Sequence, residues 1–140
     1  MTKGWFYTMK KVFICSPYRG DTAGNIEQAR RFSRMAALCG YCPVTPHLLF
    51  PQFLEDGQPE ERILGISLGI EMMLACDQVW IFGNKISNGM EYELGFAREH
   101  RIPVRLYDNN MNRIDPDTLK IDDRVDEAYY NVVKDLSFFR

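Results

Sequence analysis

The apolar positions of this chain fall into short solid blocks separated by longer periodic stretches. Lys11 to Ser16 (KVFICS), Tyr41 to Thr45, Asp77 to Gly83 (DQVWIFG) and Pro103 to Tyr107 are the short blocks. Pro17 follows the first, Pro46 the second, and each reads as a strand. Asn25 to Leu38 repeats its apolar residues at Ile26, Ala29, Phe32 and Ala36, then meets Gly40, a pattern that predicts a helix closed by a glycine cap. Glu60 to Cys76 predicts a second helix. Its only charge from Ile63 onward is Glu71, so it is expected to be buried on most sides. Gly89 to His100 predicts a third, and His47 to Pro59 a long loop. Past Asp108 the pattern weakens: Asn109-Asn110 reads as a turn, Thr118 to Ile121 as an edge strand, and Val125 to Leu136 as a closing helix. Strands alternating with helices, with solid rather than alternating strand patterns, predict an α/β fold: a parallel sheet of four or five strands between two helical layers.

Composition narrows the picture. A length of 140 residues suits one domain spanning 1–140, with Met1 to Thr8 read as a loose extension ahead of an alternative start at Met9. The apolar share of 46% with interspersed charges is that of a soluble globular protein. A net charge of −2 argues against a dedicated binder of nucleic-acid polymers. No apolar run is long enough to span a bilayer, and the first residues lack the core of a signal peptide, so a cytoplasmic location is expected. Cys39 and Cys42 have redox spacing, but they sit where a helix ends rather than where one begins, and read as ordinary core cysteines. Two histidines with these cysteines give no metal-ligand spacing, so neither a metal nor another cofactor is expected.

Ligands of open parallel sheets bind beyond the carboxyl ends of the strands. Three loops converge on that edge: Ser16-Pro17-Tyr18-Arg19-Gly20, the segment opening at His47, and Gly83 to Gly89. Arg19 can fork onto a phosphate or carboxylate. The helix start near Ser87, Asn88, Gly89 and Met90 offers backbone N–H groups to an anion. Within that helix Met90, Leu94 and Ala97 fall on one side and Tyr92 and Phe96 extend the apolar arc, with Glu93 in its middle. A carboxylate so placed costs several kcal/mol unless paired, and such groups usually have a task. Taken singly, Arg19 reads as a solvated loop charge, Ser87 as an N-cap, His47 as a turn residue and Glu71 as a satisfied or rim acid. Their convergence on one edge favours a small anionic ligand such as a nucleotide.

The stretch Ser87-x-Gly89-x-x-x-Glu93-Leu94-Gly95-x-Ala97, together with the looser match at Ser16 to Gly20, resembles the nucleoside 2-deoxyribosyltransferase superfamily, including its 2'-deoxynucleoside 5'-phosphate N-hydrolases and its short phage and bacterial relatives. The resemblance covers roughly Lys11 to Tyr107. It implies a flavodoxin-like three-layer fold, no cofactor, a nucleoside or nucleotide substrate, and a homodimer or higher homo-oligomer whose sites borrow residues from a neighbour. By position, Glu93 corresponds to the nucleophile, Ser87 and Gly89 to residues holding the sugar or 5'-phosphate, and Arg19 to a phosphate-side residue. The adjoining Asn88 and Met90, the rest of the first loop and His47 complete the expected binding set. The helix dipole is expected to help keep Glu93 ionised, and Arg19 with Ser87 favours a 5'-phosphorylated substrate. Two positions depart from the pattern. Phe13 stands where the first strand often has a tyrosine, and Gly69 where an aspartate handles the leaving base. Tyr18 and Glu71 are the candidate substitutes, although Glu71 lies about 200° around its helix from position 69. The departures leave a second reading, a module that binds or senses a nucleotide without cleaving it.

Overall fold

The computed structural model describes residues 9–140; the expectation for Met1 to Thr8 lies outside them. Five strands, β1 (Lys11–Cys15), β2 (Cys42–Val44), β3 (Gln78–Phe82), β4 (Val104–Tyr107) and β5 (Arg113–Ile114), form one sheet in the order β2-β1-β3-β4-β5. The first four are mutually parallel and β5 runs antiparallel to β4. The helices are α1 (Thr22–Leu38), α2 (Pro46–Leu49), α3 (Pro59–Leu74), α4 (Asn88–Glu99) and α5 (Glu127–Val133).

The chain leaves β1 toward one edge of the sheet and then crosses back over it to β3 and β4. Right-handed crossovers running in opposite directions place their helices on opposite faces. Strand alternation sorts the core accordingly. Val12, Ile14, Trp80, Phe82 and Tyr107 pack with Phe32 and Ala36 of α1. Phe13, Cys15, Val79, Ile81, Val104 and Leu106 pack with residues of α3, α4 and α5. All five β3 residues are buried, as expected of a central parallel strand covered on both faces. Among them the Trp80 indole donates to the buried Gln78 carboxamide at 2.9 Å, which satisfies both polar groups.

Three expectations are corrected. The edge strand is Arg113–Ile114 rather than Thr118 to Ile121, because the turn at 108–112 is short enough to fold the chain straight back on β4, and residues 116–118 then form a 3-10 turn under an Asp115 cap. The expected loop from His47 to Pro59 contains α2, started by Pro46 in the first helical turn, and a further 3-10 turn at Phe50–Gln52. Helix α3 buries only Gly69, Ile70 and Met73, while Ile63 is 65% exposed and Leu64 47%. An apolar composition all round fits a helix that is covered, and here one apolar side has no cover from the described residues of this chain.

Local chemistry sets the helix ends. Gly40 takes φ +90° just past α1, a conformation L side chains avoid. Asp126 caps α5 by accepting the Tyr129 N–H at 2.8 Å, and α5 carries Tyr129 and Val133 fully into the core. Asp126→Ala should therefore cost about 1 kcal/mol, as for other lost N-caps, read as a lower urea midpoint at unchanged slope.

Candidate functional site

The reversal of direction between β1 and β3 opens a crevice at their carboxyl ends. A cavity of about 770 Å³ occupies it. Gly83, with φ +102°, turns the chain out of β3 toward α4, whose first turn, Asn88, Gly89 and Met90, lines the cavity. Ser87 caps α4 by accepting the Met90 N–H at 3.2 Å. A Cβ placed at Gly89 would meet no atom within 4 Å.

Glu93 also lines the cavity. It is the sixth residue of α4, past the first turn where a helix dipole acts. Burial pushes its carboxyl up to about 8, and the Cys15 thiol, which donates to Oε1 across 3.7 Å, opposes this only in part. The expectation that the dipole keeps Glu93 ionised is thus corrected: desolvation outweighs it and favours the protonated acid near neutral pH. Met90, Leu94 and Ala97 are buried as expected, but Tyr92 leaves the apolar arc and stands 55% exposed on the cavity rim.

The other walls come from the loops after β1 and β2. Ser16 is buried, and its hydroxyl has no hydrogen-bond partner among the described residues. Its carbonyl accepts from His47 Nε2 at 2.9 Å. A carbonyl can only accept, so Nε2 carries the proton and Nδ1 is left as an acceptor. Burial lowers the His47 pKa, against the pull of that hydrogen bond and of Asp56, so the ring is neutral near pH 7. His47 stacks on Tyr18 with ring centroids 5.0 Å apart. Arg19 Nε lies 3.0 Å from Asp56 Oδ2, and Arg62 Nε lies 3.9 Å from Asp56 Oδ1.

Most of the expected binding residues therefore meet at one cavity: Ser16, Tyr18, Arg19, Gly20, His47, Ser87, Asn88, Gly89, Met90 and Glu93 all line it. Pro17 and Glu71 do not. Glu71 is exposed on the side of α3 turned away from Gly69, so it is in no position to stand in for an aspartate at 69, as its 200° offset implies. Gly69 does line the cavity, where a Cβ would only touch Pro46 at 3.7 Å. Sequence reasoning missed Phe50, Leu54, Asp56, Glu61 and Arg62 on the outer wall, and the Ile63, Ile66 and Ser67 side of α3. Aromatic and charged residues crowded between Pro46 and Arg62 were the available signal. The reading of Cys39 and Cys42 as core cysteines is corrected: both are exposed where α1 ends and β2 begins, at the opposite end of the sheet from the cavity. Among the described residues no group of three or more His, Cys, Asp or Glu side chains is placed to hold a metal ion, and no helix is long and apolar enough to cross a membrane.

Residues 10–107, which hold β1 through β4 and the whole of this cavity, match a family described as a domain of unknown function (DUF7768). The chain belongs to that family. Comparison with curated proteins gives no match. Among solved structures, a 2-deoxyribosyltransferase from Bacillus psychrosaccharolyticus superposes with a TM-score of 0.64 at 17% identity, over 93% of this chain and 85% of that one. At this identity the likeness speaks for the fold, which is the flavodoxin-like three-layer α/β/α arrangement. A conserved protein from Enterococcus faecalis V583 overlaps less well, with a TM-score of 0.49 at 18% identity over 71% of this chain and 64% of that one.

Proposed function

We propose that this DUF7768 chain cleaves, or transfers a sugar across, the N-glycosidic bond of a (deoxy)nucleoside or its 5'-monophosphate, with Glu93 as nucleophile. The observation that carries the proposal is the placement of Glu93: a carboxyl group in a cavity at the β1/β3 crevice, with a thiol as its hydrogen-bond partner. The fold shared with a 2-deoxyribosyltransferase supports it. In the ionised form Glu93 attacks the anomeric carbon as the base departs with the bonding electrons. An enzyme-bound sugar ester results, which water or a second base then releases. The volume of about 770 Å³ lies within the range of small-molecule sites. The stacked Tyr18 and His47 rings offer the base an aromatic wall, and Ser87, Asn88 and Gly89 face the sugar side.

The test is incubation of the protein with each deoxynucleoside and ribonucleoside and their 5'-monophosphates, at pH 7 and 8.5, with chromatographic detection of free base. Release from at least one substrate is expected; release from none removes the enzymatic reading. The second reading, a nucleotide-binding or nucleotide-sensing module, draws on Gly69 and Phe13: no carboxylate stands at the first position and no hydroxyl at the second. Calorimetric binding of a nucleotide that is recovered intact would establish it.

Ile63 and Ile66 on α3 and Tyr92 on α4 line the cavity, and with the exposed Leu64 beside them they form the kind of apolar rim that another chain covers. In our reading a second copy of this chain covers it, making a homodimer or higher homo-oligomer. The four free cysteines suit the reducing conditions of the cytoplasm, where we place the activity.

A further inference from the structure

We propose that Asp56 is a specificity-determining residue that turns the site against anionic ligands, so that an unphosphorylated nucleoside is bound in preference to its 5'-monophosphate. The inference rests on the reading of the cavity as a nucleoside site. The two guanidinium groups lining the cavity, on Arg19 and Arg62, would be the natural partners of a phosphate. Each faces the same carboxylate through its Nε: Arg19 is hydrogen-bonded to one oxygen at 3.0 Å, and Arg62 lies within ion-pair range of the other at 3.9 Å.

The segment that carries Asp56 is held in place. The Glu55 N–H donates to the Glu61 carboxylate at 3.3 Å, and Leu54 packs close to Gly65 of α3. Glu61 lines the cavity as well, so two carboxylates balance two guanidiniums there. Burial disfavours the charged forms of both His47 and Glu93. Ser87 accepts the Met90 N–H in capping α4, which leaves one neutral O–H donor and no charge to hold an anion there.

A phosphate entering the mouth must therefore displace Asp56 from its partners or sit beside it, and like charges at contact distance repel, most at low salt where screening is least. A neutral sugar hydroxyl meets no such barrier. The ion pairs are substantially exposed, with side-chain exposures of 55% and 37% for Arg19 and Asp56. Such pairs add little to folding, and Asp56→Asn should leave the fold intact.

The experiment compares Asp56→Asn with the parent, both in a Glu93→Gln background that prevents turnover, by calorimetry at low salt. The probes are deoxyadenosine, deoxyguanosine, deoxycytidine and thymidine, their 5'-monophosphates, and inorganic phosphate. In the parent, the best-bound nucleoside is expected to bind at least about tenfold tighter than its monophosphate. In Asp56→Asn, affinity for the monophosphate and for inorganic phosphate should rise about tenfold, while that for the nucleoside changes no more than about twofold. A parent that prefers the monophosphate, or an Asp56→Asn variant with the same preference as the parent, overturns the inference and leaves the nucleoside site standing. If no nucleoside or monophosphate binds, the site reading fails. Inorganic phosphate then decides the role of Asp56 alone: a gain in the variant upholds anion exclusion, and no gain ends it.

Discussion

Glu93→Gln is expected to lower base release by about 10⁴-fold or more, with substrate affinity changed severalfold at most, since losing a nucleophile removes a covalent route rather than a binding contact. Glutamine keeps the shape and the hydrogen-bonding capacity toward Cys15 but cannot form the ester. Glu93→Ala goes further and opens space beside the sugar. Formate added to that variant should restore part of the lost rate by standing in for the missing carboxylate, an outcome that a purely structural Glu93 would not produce. The unmodified protein should show activity rising about tenfold per pH unit and levelling near pH 8, because the reactive form is the ionised one and burial holds the carboxyl up at about 8. Initial rates between pH 5.5 and 9.5 measure this. A flat profile, or full activity in Glu93→Gln, assigns the chemistry elsewhere.

The second large effect is on stability and has the opposite sign from a normal acid. A carboxylate stabilised by partners has a depressed pKa and loses its contribution as pH falls. The folded-state pKa of Glu93 is instead raised, from 4.5 to about 8. Between those values the folded protein holds a proton that the unfolded chain releases, so folding weakens as pH climbs from about 4.5 to 8 and then levels off. Each pH unit within that window weakens folding by about 1.4 kcal/mol, and the whole loss amounts to several kcal/mol. Glutamine at 93 cannot ionise. Glu93→Gln should therefore match the parent protein near pH 4.5 and exceed it by several kcal/mol at pH 8.5, with urea unfolding at both values as the measurement. Equal stabilities at pH 8.5 would mean that the carboxyl is better solvated than its surroundings imply. The same substitution thus abolishes activity and strengthens the fold, as befits a site that keeps a reactive group at a cost to stability.

The sheet was legible because parallel strands covered on both faces need continuous apolar residues, which β1 has from Val12 to Cys15 and β3 from Val79 to Phe82, while β4 breaks the run only at Arg105. The α4 motif was legible because a carboxylate amid Met90, Leu94 and Ala97 contradicts the helix's own periodicity. What escaped depends on tertiary placement. The exposed side of α3 could not be foreseen, since its sequence is apolar whether or not anything covers it. Asp56 and Arg62 looked like ordinary surface charges, and only the tertiary placement of the segment before α3 brings Asp56 between Arg19 and Arg62. The protonation of Glu93 was misjudged for a related reason: helix position is visible in a sequence, whereas the depth of the surrounding walls is not.

The switch in crossover direction between the parallel strands β1 and β3 has an evolutionary corollary. The acid arrives on α4 after β3, whereas the residues that would discriminate among ligands arrive on the segment between β2 and α3. These two parts share a cavity but no backbone element. Insertions or exchanges within residues 50–58 can retune what is admitted while the reacting group keeps its place, which leaves such a scaffold free to diversify its diet without reinventing its chemistry.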